Sequence, residues 1–411
     1  MGWLVIVTAL LACAPKHKVV PTTETETTPC DSAVLAAPQS GPARFDAFLA
    51  GYVAATDVSR AELLANFVSE QRGRGGFPIV ESDGTAVFLY VSTGSEHDIR
   101  LIGDFRPMSF FKMDWDQHGQ PLSLAVAGGK VWFTRMRFQI DARLDYQISI
   151  DGKGAPDPLN PRNIESGYGG PSSELVMPAV QIPSPRLDVE HGAISTVEGA
   201  WAHPKITVYL PPGYDSRRRY PVIYTADGTA WLELIRLPAI LDDLIARHAI
   251  EPAIAIMIDA AEDRSVWYLW NPLYLEYLDK VVRYVDSHYA TRADPAGRIH
   301  VGTSAGARAG LQVALERSST FGKVALLSPA LSGYPHIYEP FFSGRRKPAP
   351  ALRVWMSAGT YEGTICEDTR SMARWFRDAG VKVKLSFLHE SHSFGNWRHV
   401  AGDALTFLLA P

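Results

Sequence analysis

A short β-type run leads directly into a tight turn in the stretch Ile299-His300-Val301-Gly302-Thr303-Ser304-Ala305-Gly306. Residues 307–317 follow with a helical pattern, so Ser304 lies at a strand–turn–helix junction. Gly302 and Gly306 tolerate the strained backbone of such a turn, where larger side chains would clash. This context is typical of a nucleophile elbow on an α/β sheet, and it predicts Ser304 as a nucleophile. The alternative interpretation is a serine that merely caps a helix.

The sequence around this turn, from about residue 201 onward, alternates β-type runs with helical patterns. Such alternation predicts an α/β domain with a mostly parallel sheet that helices cover on both faces. The strand candidates are residues 207–210, 222–224, 254–258, 299–301, 324–327, 352–356 and 381–385.

The N-terminal half has a different pattern. Apolar residues recur at helical spacing over residues 44–68 and predict two short helices, interrupted near Asp57-Val58-Ser59. Beyond Gly75-Gly76 the β-type runs 87–91, 99–102, 131–136 and 146–150 predict a small β-sandwich of roughly 100 residues. The turn-rich segment 157–173 is the predicted connection to the second domain.

Length and composition describe a globular protein of two domains. The chain has 411 residues, 46% of them hydrophobic and 20% charged, with a formal net charge of -4. These values argue against a disordered chain and give no reason to expect a nucleic-acid partner. The predicted domains are residues 44–185, a helical lead-in with a β-sandwich, and residues 186–411, the α/β domain. Composition leaves the oligomeric state open.

The first residues have the features of an export signal. The apolar run 3–12 is too short to span a bilayer as a helix but suits a signal-peptide core, although no Lys or Arg precedes it. It ends in Leu10-Leu11-Ala12-Cys13, which resembles a bacterial lipoprotein signal. We therefore predict a signal over residues 1–13, with Cys13 lipidated, and a solvated Thr/Glu/Pro-rich tether over residues 14–43. A plain export signal and an uncleaved anchor are the alternatives to lipidation. The expected location is the periplasm or the cell surface, with lipid attachment to a bacterial membrane.

Two further cysteines are Cys30, in the predicted tether, and Cys366. They can pair in an oxidising compartment. Two free thiols are the alternative.

The nucleophile needs a base, because a serine hydroxyl attacks poorly until its proton is taken. His392 lies in a loop just after the β-type run 385–388, whereas His389 ends that run and His399 falls in the last helix. The loop position favours His392 as the base. The three histidines have no acidic or cysteine ligands at fitting spacing, so no metal site is predicted.

The acid that orients the imidazole should come from a loop after an intervening strand. The run 352–356 leads into such a loop, and its acidic residue is Glu362. Glu367 and Asp368 are the competitors. They lie at the start of the next helix, where acids are common because they suit the helix dipole.

A tetrahedral intermediate needs two hydrogen-bond donors. The first is the backbone N–H after the nucleophile, here that of Ala305. The second is predicted as the N–H of Thr229, in the Asp227-Gly228 loop that follows the strand candidate 222–224. A plain turn is the alternative for that loop.

Four aromatic residues are candidate substrate contacts, because aromatic faces can stack on a catechol or a sugar. They are Trp231, Trp267, Tyr268 and Trp270. Core packing is the alternative, and it applies equally to Tyr274.

Together these segments resemble the esterase D superfamily, and within it the enterochelin (ferric enterobactin) esterase branch. The resemblance extends over nearly the whole chain after the tether and keeps the order of the family's motifs. The matching segments are Gly76-Phe77-Pro78-Ile79-Val80-Glu81, Gly103-Asp104-Phe105, Asp157-Pro158-Leu159-Asn160-Pro161, Tyr209-Leu210-Pro211-Pro212-Gly213-Tyr214, the Ser304 turn, Ala358-Gly359-Thr360-Tyr361-Glu362 and His392 with Trp397-Arg398.

The resemblance implies an immunoglobulin-like N-terminal domain and an α/β-hydrolase domain without a cofactor. It also implies a triad of Ser304, Glu362 and His392 that hydrolyses a small carboxylic ester, such as a ferric siderophore trilactone or another aromatic acyl ester. The alternatives are an acyltransferase of the same fold and a ligand-binding lipoprotein whose hydrolase domain has lost activity.

Three positions depart from the family pattern. Ala307 stands where a second glycine is usual, and Glu390-Ser391 replaces two glycines before the histidine. The family also has an Arg-x-x-Glu-Leu motif, whereas Arg264 is followed by Ser265-Val266-Trp267-Tyr268. These departures leave the triad in place and the substrate open.

Overall fold

Two antiparallel sheets form the N-terminal domain. The computed structural model describes Cys30 and residues 42–105, 119–166, 170–199, 203–331, 348–349 and 351–410. One sheet has four strands and the other six. The strands are β1 (Ile79–Val80), β2 (Thr85–Val91), β3 (Ile99–Gly103), β4 (Gln120–Pro121), β5 (Ser123–Leu124), β6 (Val131–Arg137), β7 (Arg143–Ile150), β8 (Lys153–Ala155), β9 (Asn163–Glu165) and β10 (Pro171–Val176).

The two sheets share one apolar core. The first has the order β1-β2-β6-β5, and the second has the order β4-β3-β7-β10-β9 with β8 beside β7. Phe88 and Met136 of the first sheet are buried with Leu101 and Leu144 of the second. The domain therefore consists of two packed sheets, while its immunoglobulin-like class stays a prediction.

Two helices cover the outer face of the first sheet. They are α1 (Ala43–Ala54) and α2 (Asp57–Arg72), and they bury aromatic residues such as Phe45 against Val87 and Leu89 of β2. Alternate residues of β2 thus face the helices and the sandwich core, so the whole strand is apolar. The break falls at positions 55 and 56, whose backbone is extended, and Asp57 begins α2 instead of lying in the interruption.

The described parts of the segment 157–173, residues 157–166 and 170–173, belong to the sandwich and are not the connection between domains. Strand β9 and the start of β10 lie in it, and Asp157 and Asn160 are buried, each within hydrogen-bond distance of the Tyr146 hydroxyl. Its turn residues satisfy buried polar groups inside the domain. The stretch without regular structure lies further on, between β10 and Ala193.

The C-terminal half contains one sheet of eight strands, in the order β11-β12-β14-β13-β15-β16-β17-β18. Pairing is antiparallel from β11 to β14 and parallel across the remaining strands. All seven strand candidates of this half are present, and β11 was not predicted. The strands are β11 (Ala193–Thr196), β12 (Ile206–Leu210), β13 (Val222–Ala226), β14 (Ile254–Ile258), β15 (Arg298–Thr303), β16 (Lys323–Leu327), β17 (Arg353–Gly359) and β18 (Lys382–Leu388).

Helices cover both faces of this sheet. In β13, Val222 and Tyr224 pack into a cluster with the helices over residues 272–288 and 305–316, while Ile223 packs into a cluster with the helices over residues 237–246 and 394–409. The helices are α3 (Gly228–Glu233), α4 (Leu237–Ala246), α5 (Arg264–Trp267), α6 (Pro272–His288), α7 (Ala305–Glu316), α8 (Thr364–Asp378) and α9 (Phe394–Leu409), with 3-10 turns at Pro295–Gly297 and Thr360–Glu362.

A disulfide joins Cys30 to Cys366 in α8. Cys30 is buried beside Ala358, so this part of the predicted tether is attached to the C-terminal domain and is not a free solvated chain. The predicted signal and Cys13 lie outside the described residues. Within the described ranges, none of the helices has the length and apolar character needed to cross a membrane.

His300 in β15 is a fully buried titratable group. Its Nε2 atom lies 2.6 Å from the Tyr274 hydroxyl oxygen, and burial lowers the pKa of His300 to about 3.

Because this pKa lies below the ordinary value near 6.5, the unfolded chain binds a proton at His300 before the folded protein does as the pH falls. The stability that depends on neutral His300 is complete above about pH 6.5 and is lost progressively towards pH 3. We expect this group to lower the free energy of unfolding by about 2 kcal/mol between pH 7 and pH 5. Urea unfolding of His300→Gln should lack that part of the pH dependence. The exposed-site control His97→Gln should retain it, and equal pH dependence in all three proteins would contradict this assignment.

Candidate active site

Ser304 occupies a strained turn between β15 and α7. Its backbone angles are φ 54° and ψ -120°, a region that residues with a side chain rarely adopt. A Cβ at Gly302 would lie 2.2 Å from the Gly306 carbonyl oxygen, and a Cβ at Gly306 would lie 2.9 Å from the Cβ of Ala226. Both glycines are therefore required by the close approach of strand, turn and helix.

The structure brings the three predicted triad residues together. The Nε2 atom of His392 lies 2.8 Å from Oγ of Ser304, and its Nδ1 atom lies 3.4 Å from Oε2 of Glu362. Glu362 and His392 are both buried. In this arrangement His392 can take the hydroxyl proton of Ser304, while Glu362 orients the ring and stabilises its charged form.

Three donors hold the carboxylate of Glu362 in place. Its Oε1 atom accepts hydrogen bonds from Ser328 Oγ at 2.7 Å, from Asn396 Nδ2 at 3.0 Å and from the Gly359 N–H at 3.1 Å. Ser328 Oγ in turn accepts a bond from the Trp397 indole N–H at 2.9 Å. Sequence reasoning missed Ser328 and Asn396. The available signal for Ser328 was its position directly after β16, at the edge of the sheet where Ser304 follows β15.

The other histidines and acids have different partners. His389 Nδ1 lies 2.7 Å from Asp141 Oδ1, and His399 Nδ1 lies 2.5 Å from Glu390 Oε1. Glu367 lies in α8 and pairs with Arg370. Across the ranges that the structure describes, no group of three His, Cys, Asp or Glu side chains is arranged to hold a metal ion.

Contrary to the sequence prediction, the Thr229 N–H is not free to serve as the second donor to a tetrahedral intermediate. This N–H donates to Asp259 Oδ1 at 2.5 Å, and the Thr229 hydroxyl donates to Asp259 Oδ2 at 2.8 Å. Asp259 follows β14 directly, which places its carboxylate beside the start of α3. The predicted second donor is thus engaged by a carboxylate, whereas Ala305, the first residue of α7, has no acceptor for its N–H within its own helix.

The turn at Asp227 is fixed from the side of α5. Arg264 donates to both carboxylate oxygens of Asp227 at 2.7 Å, and the Tyr268 hydroxyl accepts from the Asp227 N–H at 2.9 Å. Gly228 must lack a side chain, because a Cβ there would lie 2.4 Å from the backbone of Met257. Arg264 and Tyr268, which lie in the segment that departs from the family pattern, therefore hold the Asp227 loop beside the elbow.

Most of the predicted aromatic contacts are packing residues. Trp231 is buried in the core against α4, so its prediction as a substrate contact is wrong. Tyr268 is buried as well, and burial raises the pKa of its hydroxyl. Trp267 packs against Tyr274, and Trp270 donates its indole N–H to Glu316 at 2.9 Å. An aromatic residue near a catalytic segment predicts burial as readily as ligand contact.

Ala307 also has a packing explanation. Its methyl group is fully buried in the cluster formed by α7, α8 and β16. The close contacts that exclude a side chain are at Gly302 and Gly306, so alanine at 307 leaves the elbow intact.

The family model described as putative esterase matches residues 202–400, which contain the whole elbow and both of its partners. Residues 202–400 of this chain are therefore similar to the putative esterase family. An endo-1,4-beta-xylanase/feruloyl esterase of Xylanibacter ruminicola is 28% identical over 273 residues, which cover 62% of this chain and 36% of that protein. The Bacillus subtilis protein YjcH is 28% identical over 141 residues, 33% of this chain and 58% of the relative. The chain thus spans less than two thirds of the length of either relative.

Solved structures show the same fold over a larger part of the chain. The ferric enterobactin esterase of Salmonella typhimurium has a TM-score of 0.69 at 17% identity, covering 83% of this chain and 98% of its own. The enterobactin esterase of Shigella flexneri has a TM-score of 0.66 at 16% identity, covering 79% and 92%. The chain therefore has an enterochelin esterase-like α/β-hydrolase fold.

The tight turn at Gly302 can be tested by comparing an alanine substitution there with one at a glycine outside the elbow. Gly302→Ala should lower the free energy of unfolding by about 2 kcal/mol or more, because the new methyl group meets backbone that cannot move aside. The matched control is Gly402→Ala in α9, where the nearest atom to the new Cβ is 3.9 Å away. That variant should be neutral or up to about 1 kcal/mol more stable. Urea unfolding measures both, and an equal loss in the two variants would contradict the tight turn.

Proposed function

We propose that this protein is a serine carboxylic ester hydrolase that acts through an acyl-enzyme intermediate. The observation that carries the proposal is the chain of contacts from Ser304 through His392 to Glu362, with Ser304 held in the strained turn. The match of residues 202–400 to the esterase family supports it independently.

The proposed reaction has two halves. His392 takes the proton of Ser304 Oγ, which attacks the ester carbonyl carbon and forms a tetrahedral intermediate. Collapse of that intermediate breaks the bond to the alcohol oxygen, and the protonated His392 gives its proton to the leaving alcohol. Water then attacks the acyl-enzyme and loses a proton to His392, and the second collapse returns that proton to Ser304 and releases the acid.

The oxyanion of each intermediate needs two donors. The Ala305 N–H is the first. For the second we assign the N–H of Gly228 in place of Thr229, since it lies in the same loop and has no acceptor among the described residues. The loop is adjacent to the elbow, because a Cβ at Gly306 would come within 3.0 Å of the Asp227 carboxylate.

The two candidate substrate classes are siderophore trilactones and feruloyl-type aromatic esters. The first rests on a fold shared with proteins named enterobactin esterases, and the second on the relative named as a feruloyl esterase. A panel of ferric and iron-free trilactones, feruloyl esters and acetyl esters separates them. Turnover of only the feruloyl and acetyl esters would exclude the siderophore class.

The mechanism is tested with Ser304→Ala. The purified wild-type protein should hydrolyse p-nitrophenyl acetate and react with a fluorophosphonate, and the variant should lose about 10⁴-fold or more of kcat and all labelling. Ser287→Ala, at an exposed serine of α6, is the matched control and should behave as wild type. Equal hydrolysis by wild type and Ser304→Ala would reject the proposal.

We also propose export and attachment to a membrane through a lipidated Cys13. The residues Leu10-Leu11-Ala12-Cys13 support it, and a bond between Cys30 and Cys366 suits an oxidising compartment.

In a bacterial host, Cys13→Ser should move the full-length protein from the membrane fraction to the soluble fraction and abolish incorporation of labelled palmitate. Cys30→Ser is the control that keeps Cys13, and it should stay in the membrane fraction. Palmitate incorporation into Cys13→Ser would contradict the assignment.

A further inference from the structure

Arg143, in strand β7 of the β-sandwich, reaches into the loop that carries His392. Its Nη1 atom lies 3.3 Å from Ser393 Oγ and 3.4 Å from Glu390 Oε2, and its backbone N–H donates to the His389 carbonyl oxygen at 3.1 Å. The side chain is almost completely buried. A residue of the N-terminal domain thus contacts the loop on both sides of His392.

The loop is shaped to receive this guanidinium. A Cβ at Gly395 would lie 1.9 Å from Nη1 of Arg143, so a side chain at position 395 would displace the guanidinium from this place. Ser393, the partner of Nη1, also caps α9 by accepting from the Asn396 N–H at 3.3 Å. Arg143 therefore binds the point at which the His392 loop becomes a helix.

Glu390 connects this contact to the rest of the triad. Its second carboxylate oxygen lies 2.5 Å from His399 Nδ1, which ties it to α9. Its carbonyl oxygen accepts from the Tyr361 N–H at 3.1 Å, directly beside Glu362. The loop of the base and the turn of the acid therefore meet at Glu390, a position where the resembling family has glycine.

Three neighbouring carboxylates keep the buried guanidinium of Arg143 in its charged form. Burial alone lowers the pKa of its guanidinium, but the charges of Asp145, Glu390 and Glu174 outweigh burial and raise the pKa above its ordinary value. Asp145 Oδ1 lies 2.8 Å from Nη2, and Glu174 also contacts this nitrogen. Arg143 consequently has two acids within its own domain to hold it and a third in the catalytic loop.

We propose that Arg143 is a positioning residue for His392, so that the β-sandwich domain completes the active site by ordering the loop of the catalytic base. The proposal rests on the proposed function of Ser304 and His392. A buried ion pair contributes little net stability but fixes geometry, and a displacement of about 1 Å at a reacting group can lower a rate by about 100-fold.

Two variants test this proposal, and in each of them the buried positive charge at position 143 keeps acidic partners. Glu390→Gln leaves Arg143 paired with Asp145 and Glu174, and Arg143→Lys keeps the charge but loses the planar fork. Each should lower kcat for p-nitrophenyl acetate about 10-fold with little change in KM, and slow fluorophosphonate labelling by a similar factor. The loss of kcat in the double variant should be smaller than the product of the two single losses, because both variants weaken the contact between Arg143 and Glu390.

The matched control is Arg135→Lys, which makes the same substitution in the same domain. Arg135 pairs with Asp46 of α1 at 2.6 Å on the sheet face covered by the helices. It should lower thermal stability through the weakened pair with Asp46 and leave kcat unchanged. An equal loss of kcat in Arg135→Lys and Arg143→Lys would overturn the proposal, because the effect would then follow from domain stability alone.

Hydrogen exchange of residues 389–396 provides a measure that does not depend on activity. Exchange there should be faster in Glu390→Gln and Arg143→Lys than in wild type and Arg135→Lys. Unchanged exchange, or faster exchange with unchanged kcat, would reject a positioning role. If wild type itself is inactive and unlabelled, the proposed function fails, while the exchange experiment still decides whether Arg143 orders the loop.

Discussion

The close approach of Gly302 to Gly306 is the constraint on which the rest of the site depends. It places Ser304 in a backbone conformation that costs free energy and persists only where the surroundings hold it. Those surroundings include the last residue of the neighbouring strand β16 and the segment that follows it. The Ser304 N–H donates to the Leu327 carbonyl oxygen at 2.9 Å, and the Ser304 carbonyl oxygen accepts from the Ala330 N–H at 3.2 Å. The fully buried parallel sheet is therefore what keeps the serine exposed to its base.

Much of this arrangement could be predicted from sequence, for a physical reason. Strands covered on both faces are continuous apolar runs, so 222–224, 254–258 and 324–327 stand out from the polar segments between them. The elbow follows from two glycines around a serine, and a base and an acid placed after later strands reach the same edge of a parallel sheet. By contrast, all four residues of β11 are exposed, so they carry no apolar pattern that would have identified the strand.

The contacts that could not be predicted from sequence are of two kinds. Some join residues that are far apart in the chain, and others depend on which acceptor a single backbone N–H faces. Arg143 and Glu390 are 247 positions apart, and nothing in either segment alone indicates that they meet. The sequence around Asp227-Gly228 predicts a loop, but the acceptor of the Thr229 N–H is Asp259, which comes from another strand. Trp231 was assigned wrongly because an aromatic side chain suits a core and a ligand site equally well. Cys30 lies in a polar stretch whose composition hides its attachment to α8.

The Cys30–Cys366 bond turns most of the protein into a covalent ring that contains the entire β-sandwich. A protease that cuts once between β10 and β11 would separate the domains in sequence but not in space, since the fragments stay joined through α8. The bond also sets the reach of the proposed anchor. From Cys13 to Cys30 the chain has 17 peptide steps, or at most about 60 Å when fully extended. With the proposed anchor in place, this short segment would limit the distance from the membrane most directly for the C-terminal domain, and not for the sandwich that precedes it in sequence.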